Sequence, residues 1–298
     1  MTQSSVLPVT LIVGSDSVVG GALFGHLVRA GERVIGTSRR GADLDQFHWY
    51  LDLSQGSESW RFPWPVSVAV ICAGITKLEA CRREPVASAR VNVKATVALA
   101  EKLAAQGAFV IYLSTNQVFD GSQPYRKPDD AMSPATEYGR QKAEAERRIG
   151  KLGNSVAIVR FTKILELRPL LFSTWIEVLR ETKPIQPFSD MFMAPVPLAC
   201  AISVLRLVAD RRMSGIIQVS GGIDTTYAEA AAIGARLIDA DEGLIQPIRA
   251  CESGFYSEPV PAHTTLNIDR LKSSLGVEPP DVRWTIQAAF AAVLAEQR

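Results

Sequence analysis

The 298-residue chain is poor in the side chains that build metal sites and disulfide frameworks, with three histidines and four cysteines. His26, His48 and His263 are far apart, and Cys72, Cys81, Cys200 and Cys251 form no C-x-x-C pair. No metal is expected, and the thiols read as reduced, as in a cytoplasm. An excess of one charge is missing too: the formal net charge is +1 and no long basic block occurs, which argues against nucleic acid or an anionic membrane as a partner. No apolar run approaches the ~20 residues that span a bilayer. The longest candidate, PVPLACAISVL, carries two prolines and is stopped by Arg206. The opening MTQSSVLPVT lacks a basic n-region and a full apolar h-region, so it does not read as a signal peptide. The expected setting is cytoplasmic and the expected ligands are small molecules.

What the chain does have is apolar character, 47% of its residues, enough for one large domain or two intimate ones. Short apolar runs at VTLIV, RVIGT, FHWYL, VSVAVICAG, AFVIYL and SVAIVR read as six strands. Helical patterns over 18–30, 86–106 and 135–150 separate several of them. Strands without polar alternation, interleaved with helices, predict an α/β fold built on a doubly wound parallel sheet. After residue 161 prolines multiply and elements shorten, with helices expected near 171–181, 197–209, 226–239, 268–275 and 283–296. The expected organisation is a dinucleotide-binding domain over 1–160, with return segments near 190–210, and a smaller substrate-binding lobe over 161–298.

GSDSVVGG lies directly between the first strand and the first helix. Glycines at such a junction let the backbone turn tightly and approach a pyrophosphate, held by the helix N-terminus. Gly14, Ser15, Ser17, Val18, Val19 and Gly20 are the candidate phosphate-loop residues. Ser17 stands where a G-x-x-G-x-x-G loop has its middle glycine, which adds a side chain where a cofactor passes closest. At the end of the second strand, Ser38, Arg39 and Arg40 occupy the place where a carboxylate would bind a ribose 2′-hydroxyl. Two guanidinium groups suit a 2′-phosphate instead, so NADPH is expected in preference to NADH. Asp52 and Leu53, after the third strand, are candidates for the adenine. Ala73 and Gly74, closing the fourth, are small enough for a cofactor to lie across the sheet edge.

Tyr138 and Lys142, in YGRQK, are four residues apart, on one face of a helix. A phenol titrates near ~10 and an adjacent ammonium favours its ionised form, so the pair can exchange a proton with a carbonyl or alcohol oxygen. The fifth strand ends in Ser114, Thr115 and Asn116, which a core strand does not need. A hydroxyl from Thr115 can bind the same oxygen that Tyr138 protonates.

The chain resembles the extended short-chain dehydrogenase/reductase superfamily, and within it the dTDP-4-dehydrorhamnose reductase family. The stretches that carry this are LIVGSDSVVGGAL, ICAGITKLEACRREPVASARVNVKAT, STNQVFDGSQPYRKPDDAMSPATEYGRQKAEAE and TTLNIDRLKSSLG. The resemblance is strong to about residue 160 and looser beyond. It implies a Thr-Tyr-Lys triad at Thr115, Tyr138 and Lys142 serving NADPH-dependent reduction of a 4-keto nucleotide sugar, a step of polysaccharide biosynthesis. Lys142 would also hold the nicotinamide ribose, and Thr76 would touch substrate. Two residues depart from the family pattern: Gln117 replaces a Tyr, and Lys163 replaces a Trp beside the sugar. A more polar or more anionic sugar nucleotide is the corresponding expectation. Arg168 and Arg249 are candidate diphosphate contacts. Asn116 and Gln117 replace the Asp-Glu pair of the related 4,6-dehydratases, which disfavours dehydration. C4 epimerisation with a retained cofactor stays open, as does a non-catalytic NADP-binding subunit, since some relatives of the family are regulatory. Family members are often dimers, so a homodimer is possible. Some relatives respond to Mg²⁺, but no dedicated carboxylate cluster for it stands out.

Overall fold

The computed structural model describes residues 9–56, 60–254 and 258–296. Most of the opening MTQSSVLPVT, residues 1–8, lies outside the described residues. The chain forms two compact units: residues 1–118, 136–160 and 202–217 in the first, and 119–135, 161–201 and 218–298 in the second.

The first unit is organised by a seven-stranded sheet. Its strands are β1 (Val9–Val13), β2 (Val34–Ser38), β3 (His48–Tyr50), β4 (Val66–Ile71), β5 (Phe109–Thr115), β6 (Val156–Phe161) and β10 (Gly215–Val219). Their spatial order is β10-β6-β5-β4-β1-β2-β3, and the β1–β2, β1–β4, β2–β3 and β4–β5 pairs are parallel. Chain order reverses between β1 and β4, which opens a crevice at the carboxyl ends of these strands. The apolar runs form central strands because both faces are covered: β1, β4 and β5 are buried almost throughout. α1 (Val18–Arg29) follows β1, and α5 (Glu137–Ile149) precedes β6. The long helix expected over 86–106 is present in pieces, α3 (Pro85–Ala89), a π-helical turn (Arg90–Ala95) and α4 (Thr96–Ala105), with the short α2 (Leu78–Arg83) before it. Leu99, Ala100 and Leu103 of α4 pack with Leu11, Ile71, Val110 and Tyr112 into one core.

The strand β10 was not among the six read from the sequence. β5 runs through Thr115, in keeping with the polar strand end read from the sequence, and carries Ser114 and Thr115 to the sheet's carboxyl edge.

The second unit is built on helices. α6 (Leu170–Arg180), α8 (Tyr227–Leu237) and α9 (Val282–Glu296) share a core in which the Phe172 and Phe290 rings stack 4.1 Å apart. Gly234 of α8 lets the helix approach: a Cβ there would lie 2.5 Å from the Phe290 ring. Two-residue strands complete the unit, β7 (Ile164–Leu165) with β9 (Val196–Pro197), and β8 (Phe192–Met193) with β11 (Thr225–Thr226). No helix among the described residues is long and apolar enough to cross a membrane.

Candidate active site

The glycine loop leaves β1 at Gly14, whose φ of 83° suits glycine, and a Cβ there would sit 2.8 Å from Ala73. A Cβ on Gly20 would lie 2.2 Å from the Gly14 carbonyl oxygen, so the turn closes only with glycine at this position. Ser17 stands between them as the N-cap of α1. Its Oγ donates to the Gly14 carbonyl at 2.7 Å and accepts from the Gly20 N–H at 3.1 Å. The side chain is therefore folded back into the turn. Val18 and Val19 supply helix N–H groups with no intrahelical partner, the usual donors for an anion. Ser15 ties the loop to β2, donating to the Thr37 carbonyl, while the Gly14 N–H donates to Thr37 Oγ1. This cradle fits a dinucleotide pyrophosphate.

Beyond β2 the charges are arranged differently from the sequence expectation. Arg40 is not free: its guanidinium donates to the Asp16 carboxylate from Nε at 3.2 Å and Nη2 at 3.1 Å, and its Nε lies 3.2 Å from Asp43. Ser38 Oγ donates to Asp43 at 2.8 Å and accepts from the Arg40 N–H. Arg39 is exposed and makes no ion pair with any described residue. Asp52 accepts from the Ser54 N–H and lines a cavity of about 330 Å³ walled by Trp49, Trp60 and Trp64. Leu53 is buried in the sheet's core. Ala73 is half-buried and Gly74 exposed, at the end of β4.

The segment after Gly74 is held from below. Asn92, buried in the π-helical turn, accepts from the Ile75 N–H at 2.8 Å and donates to the Ile75 carbonyl at 2.9 Å. It also donates to Gln141 Oε1 at 2.9 Å, on the helix that carries Tyr138 and Lys142. Sequence reasoning passed over Asn92 and Gln141; an asparagine between Val91 and Val93 within a helical pattern was the available signal. Thr76, one residue past this clamp, is exposed.

Tyr138 and Lys142 are both buried, each 8% exposed, on α5. The 116–118 turn that follows Thr115 packs against this helix. Lys142 Nζ donates to the Leu113 carbonyl of β5 at 2.6 Å and lies 4.2 Å from the centre of the Tyr112 ring. Burial lowers the Lys142 ammonium to about 8, opposed by the nearby Glu146 carboxylate. Burial also raises the Tyr138 phenol, so desolvation outweighs the acidifying effect expected from Lys142, and the phenol is held protonated. Cys72 beside Lys142 is pushed up to about 12 by burial and stays neutral. One turn past Lys142, Glu146 pairs with Arg160 of β6 at 2.7 Å, both side chains almost wholly buried.

Thr115 Oγ1 accepts from the Gln117 N–H at 3.2 Å, and its own proton has only a long 3.4 Å contact to Asn116. That proton is available to a ligand. Gln117 does not point away from the helix start: its Oε1 accepts from Thr136 Oγ1, and Thr136 caps α5 through the Gly139 N–H. Lys163 is exposed and belongs to the second unit. Of the two candidate diphosphate arginines, Arg168 pairs with Glu296 and Arg249 lies 3.5 Å from Asp190. Among the described residues no group of three His, Cys, Asp or Glu side chains could hold a metal ion.

The RmlD substrate binding domain family model matches residues 9–295. The chain belongs to that family. A dTDP-4-dehydrorhamnose reductase of Sinorhizobium fredii is 27% identical over 241 residues, covering 77% of this chain and 81% of its own length. Methionine adenosyltransferase 2 subunit beta of Rattus norvegicus is 24% identical over 279 residues, covering 90% of this chain and 82% of its own. Among solved structures, a dTDP-4-dehydrorhamnose reductase of Bacillus anthracis in complex with NADP superposes with a TM-score of 0.81 at 18% identity, covering 95% of this chain and 99% of that one.

Proposed function

We propose that this protein is an NADPH-dependent reductase of a 4-keto nucleotide sugar. The observation that carries the reading is the pairing of a buried, protonated Tyr138 with a buried Lys142 on a helix against the polar tip of β5. NADPH, when bound, supplies the hydride. Gly14, Val18, Val19 and Gly20 would cradle its pyrophosphate, and Arg39 and Arg40 would face its 2′-phosphate. Thr115 donates a hydrogen bond to the substrate's carbonyl oxygen and so stabilises negative charge as it develops there. Tyr138, which burial keeps protonated, gives its phenolic proton to the same oxygen. Lys142, fixed by the Leu113 carbonyl, places positive charge beside the site, and it would hold the nicotinamide ribose. The protein works without nucleic acid or membrane, as a homodimer in the cytoplasm.

The likeness to a methionine adenosyltransferase subunit supports a second reading, a non-catalytic subunit that binds NADP as a ligand. The two separate in one assay: NADPH consumption with a dTDP-4-keto-6-deoxyhexose, by the native protein and by Tyr138→Phe. The expected result is turnover that falls ~10²–10⁴-fold in the variant. NADPH binding without turnover on any 4-keto nucleotide sugar would leave the subunit reading in its place.

A further inference from the structure

Arg40 is one of two cations at the place where a 2′-phosphate would be recognised, and it already has anionic partners. Asp16 reaches it from the glycine loop, 24 residues away in sequence, through two side-chain hydrogen bonds, and the Asp16 carbonyl accepts a third at 3.2 Å. Asp43 approaches Nε from the other side. The four charges Arg39, Arg40, Asp16 and Asp43 sum to zero. The cluster is open to solvent, Arg40 being 59% exposed and Asp16 21%, so the pair is worth little by itself and can exchange partners.

We infer that Asp16 sets the discrimination between NADPH and NADH by competing with the 2′-phosphate for the Arg40 guanidinium. A 2′-phosphate arriving at Arg40 must displace the Asp16 carboxylate or share the guanidinium with it, and in either arrangement two anions stand close together. A ribose 2′-hydroxyl carries no charge and meets no such opposition. Asp16 therefore weakens NADPH selectively, and the residue that reads as a loop position acts as a specificity determinant. The inference rests on the dinucleotide reading of the site above.

The test is equilibrium binding of NADPH and NADH to the full chain, followed by nucleotide fluorescence, for the native protein, Asp16→Asn and Arg40→Ala. Asparagine keeps the size and loses the charge. Asp16→Asn is expected to tighten NADPH threefold to tenfold and to leave NADH within twofold. Arg40→Ala is expected to weaken NADPH and to erase any gain from Asp16→Asn in the double variant. Because the opposition is between exposed charges, the gain should shrink when salt is raised from 0.05 to ~1 M. An unchanged or weaker NADPH affinity in Asp16→Asn, or an equal gain for NADH, overturns the inference while leaving the native protein a dinucleotide binder. A native protein that binds neither nucleotide overturns the inference and the dinucleotide reading together.

Discussion

Two ion pairs in the first unit make the same bond in opposite surroundings. Arg160 and Glu146 meet in the interior, 1% and 2% exposed, with both guanidinium Nε contacts at 3.1 Å and Nη2 at 2.7 Å. Arg40 and Asp16 meet at the sheet's edge in contact with water. The interior pair has nowhere else to go, since breaking it strands a charge in a low-dielectric core. The edge pair loses little on parting. The two ends of the site differ accordingly. Beside Tyr138, Lys142 and the Glu146–Arg160 pair are buried and held by partners of the fold, whereas Arg40 and Asp16 at the glycine loop can exchange theirs. Catalytic geometry needs the first condition and ligand selection is served by the second.

The comparison can be tested by breaking each side. Glu146→Ala leaves Arg160 buried without its partner and is expected to lower stability by about 3–5 kcal/mol, measured by urea unfolding. A loss no larger than that of Asp16→Ala would erase the distinction between the two pairs.

A pH series probes the interior from another direction. Lys142 has its pKa lowered to about 8, so in the folded protein the ammonium is present below that pH and lost above it. Turnover is expected to fall as pH rises through about 8. Stability moves the opposite way: above pH 8 the folded chain has released a proton that the unfolded chain still holds, so unfolding free energy rises with pH until the unfolded lysine titrates near ~10.4. Lys142→Met should remove both trends.

At the edge the effects are smaller. Ser17→Ala removes the cap of α1 and is expected to cost about 1 kcal/mol, while Ser17→Gly costs a few tenths. Dinucleotide affinity should be little changed in Ser17→Gly, because the native side chain is already turned into the loop. A large gain in affinity would show that it is not.

Much of the α/β fold was legible because its signals are local. Continuous apolar runs ending in small or polar residues marked the six strands read, and the period of the helices between them was clear. β10 was missed because GIIQV, starting at a glycine after a helix, looks like a connection until β6 is there to pair with it. The two-residue strands of the second unit have no sequence period at all. At the site, the helix face shared by Tyr138 and Lys142 and the glycine turn before α1 were readable from spacing. Ser17 carried a readable sign as well, since serine before an apolar helix is a preferred cap. The partners of Arg40 were not readable: Asp16 is brought to it only by the parallel pairing of β1 with β2. The direction of the Tyr138 pKa shift, expected downward beside Lys142 and found upward, was misjudged for a similar reason, since burial is a property of the fold and not of the Tyr-Lys spacing.

The clamp of Asn92 on Ile75 bears on how this site can be re-engineered. The loop after β4 carries Thr76, which under the proposed reading is the natural place to graft a segment that would accept a different sugar. Its backbone is not self-supporting, because both polar groups of Ile75 are bonded to a side chain seventeen residues later, and that side chain is fastened to Gln141 on the helix of Tyr138. A transplanted loop therefore has to bring its own equivalents of positions 92 and 141, and a library that varies 74–77 alone samples side chains on a platform whose height is set elsewhere.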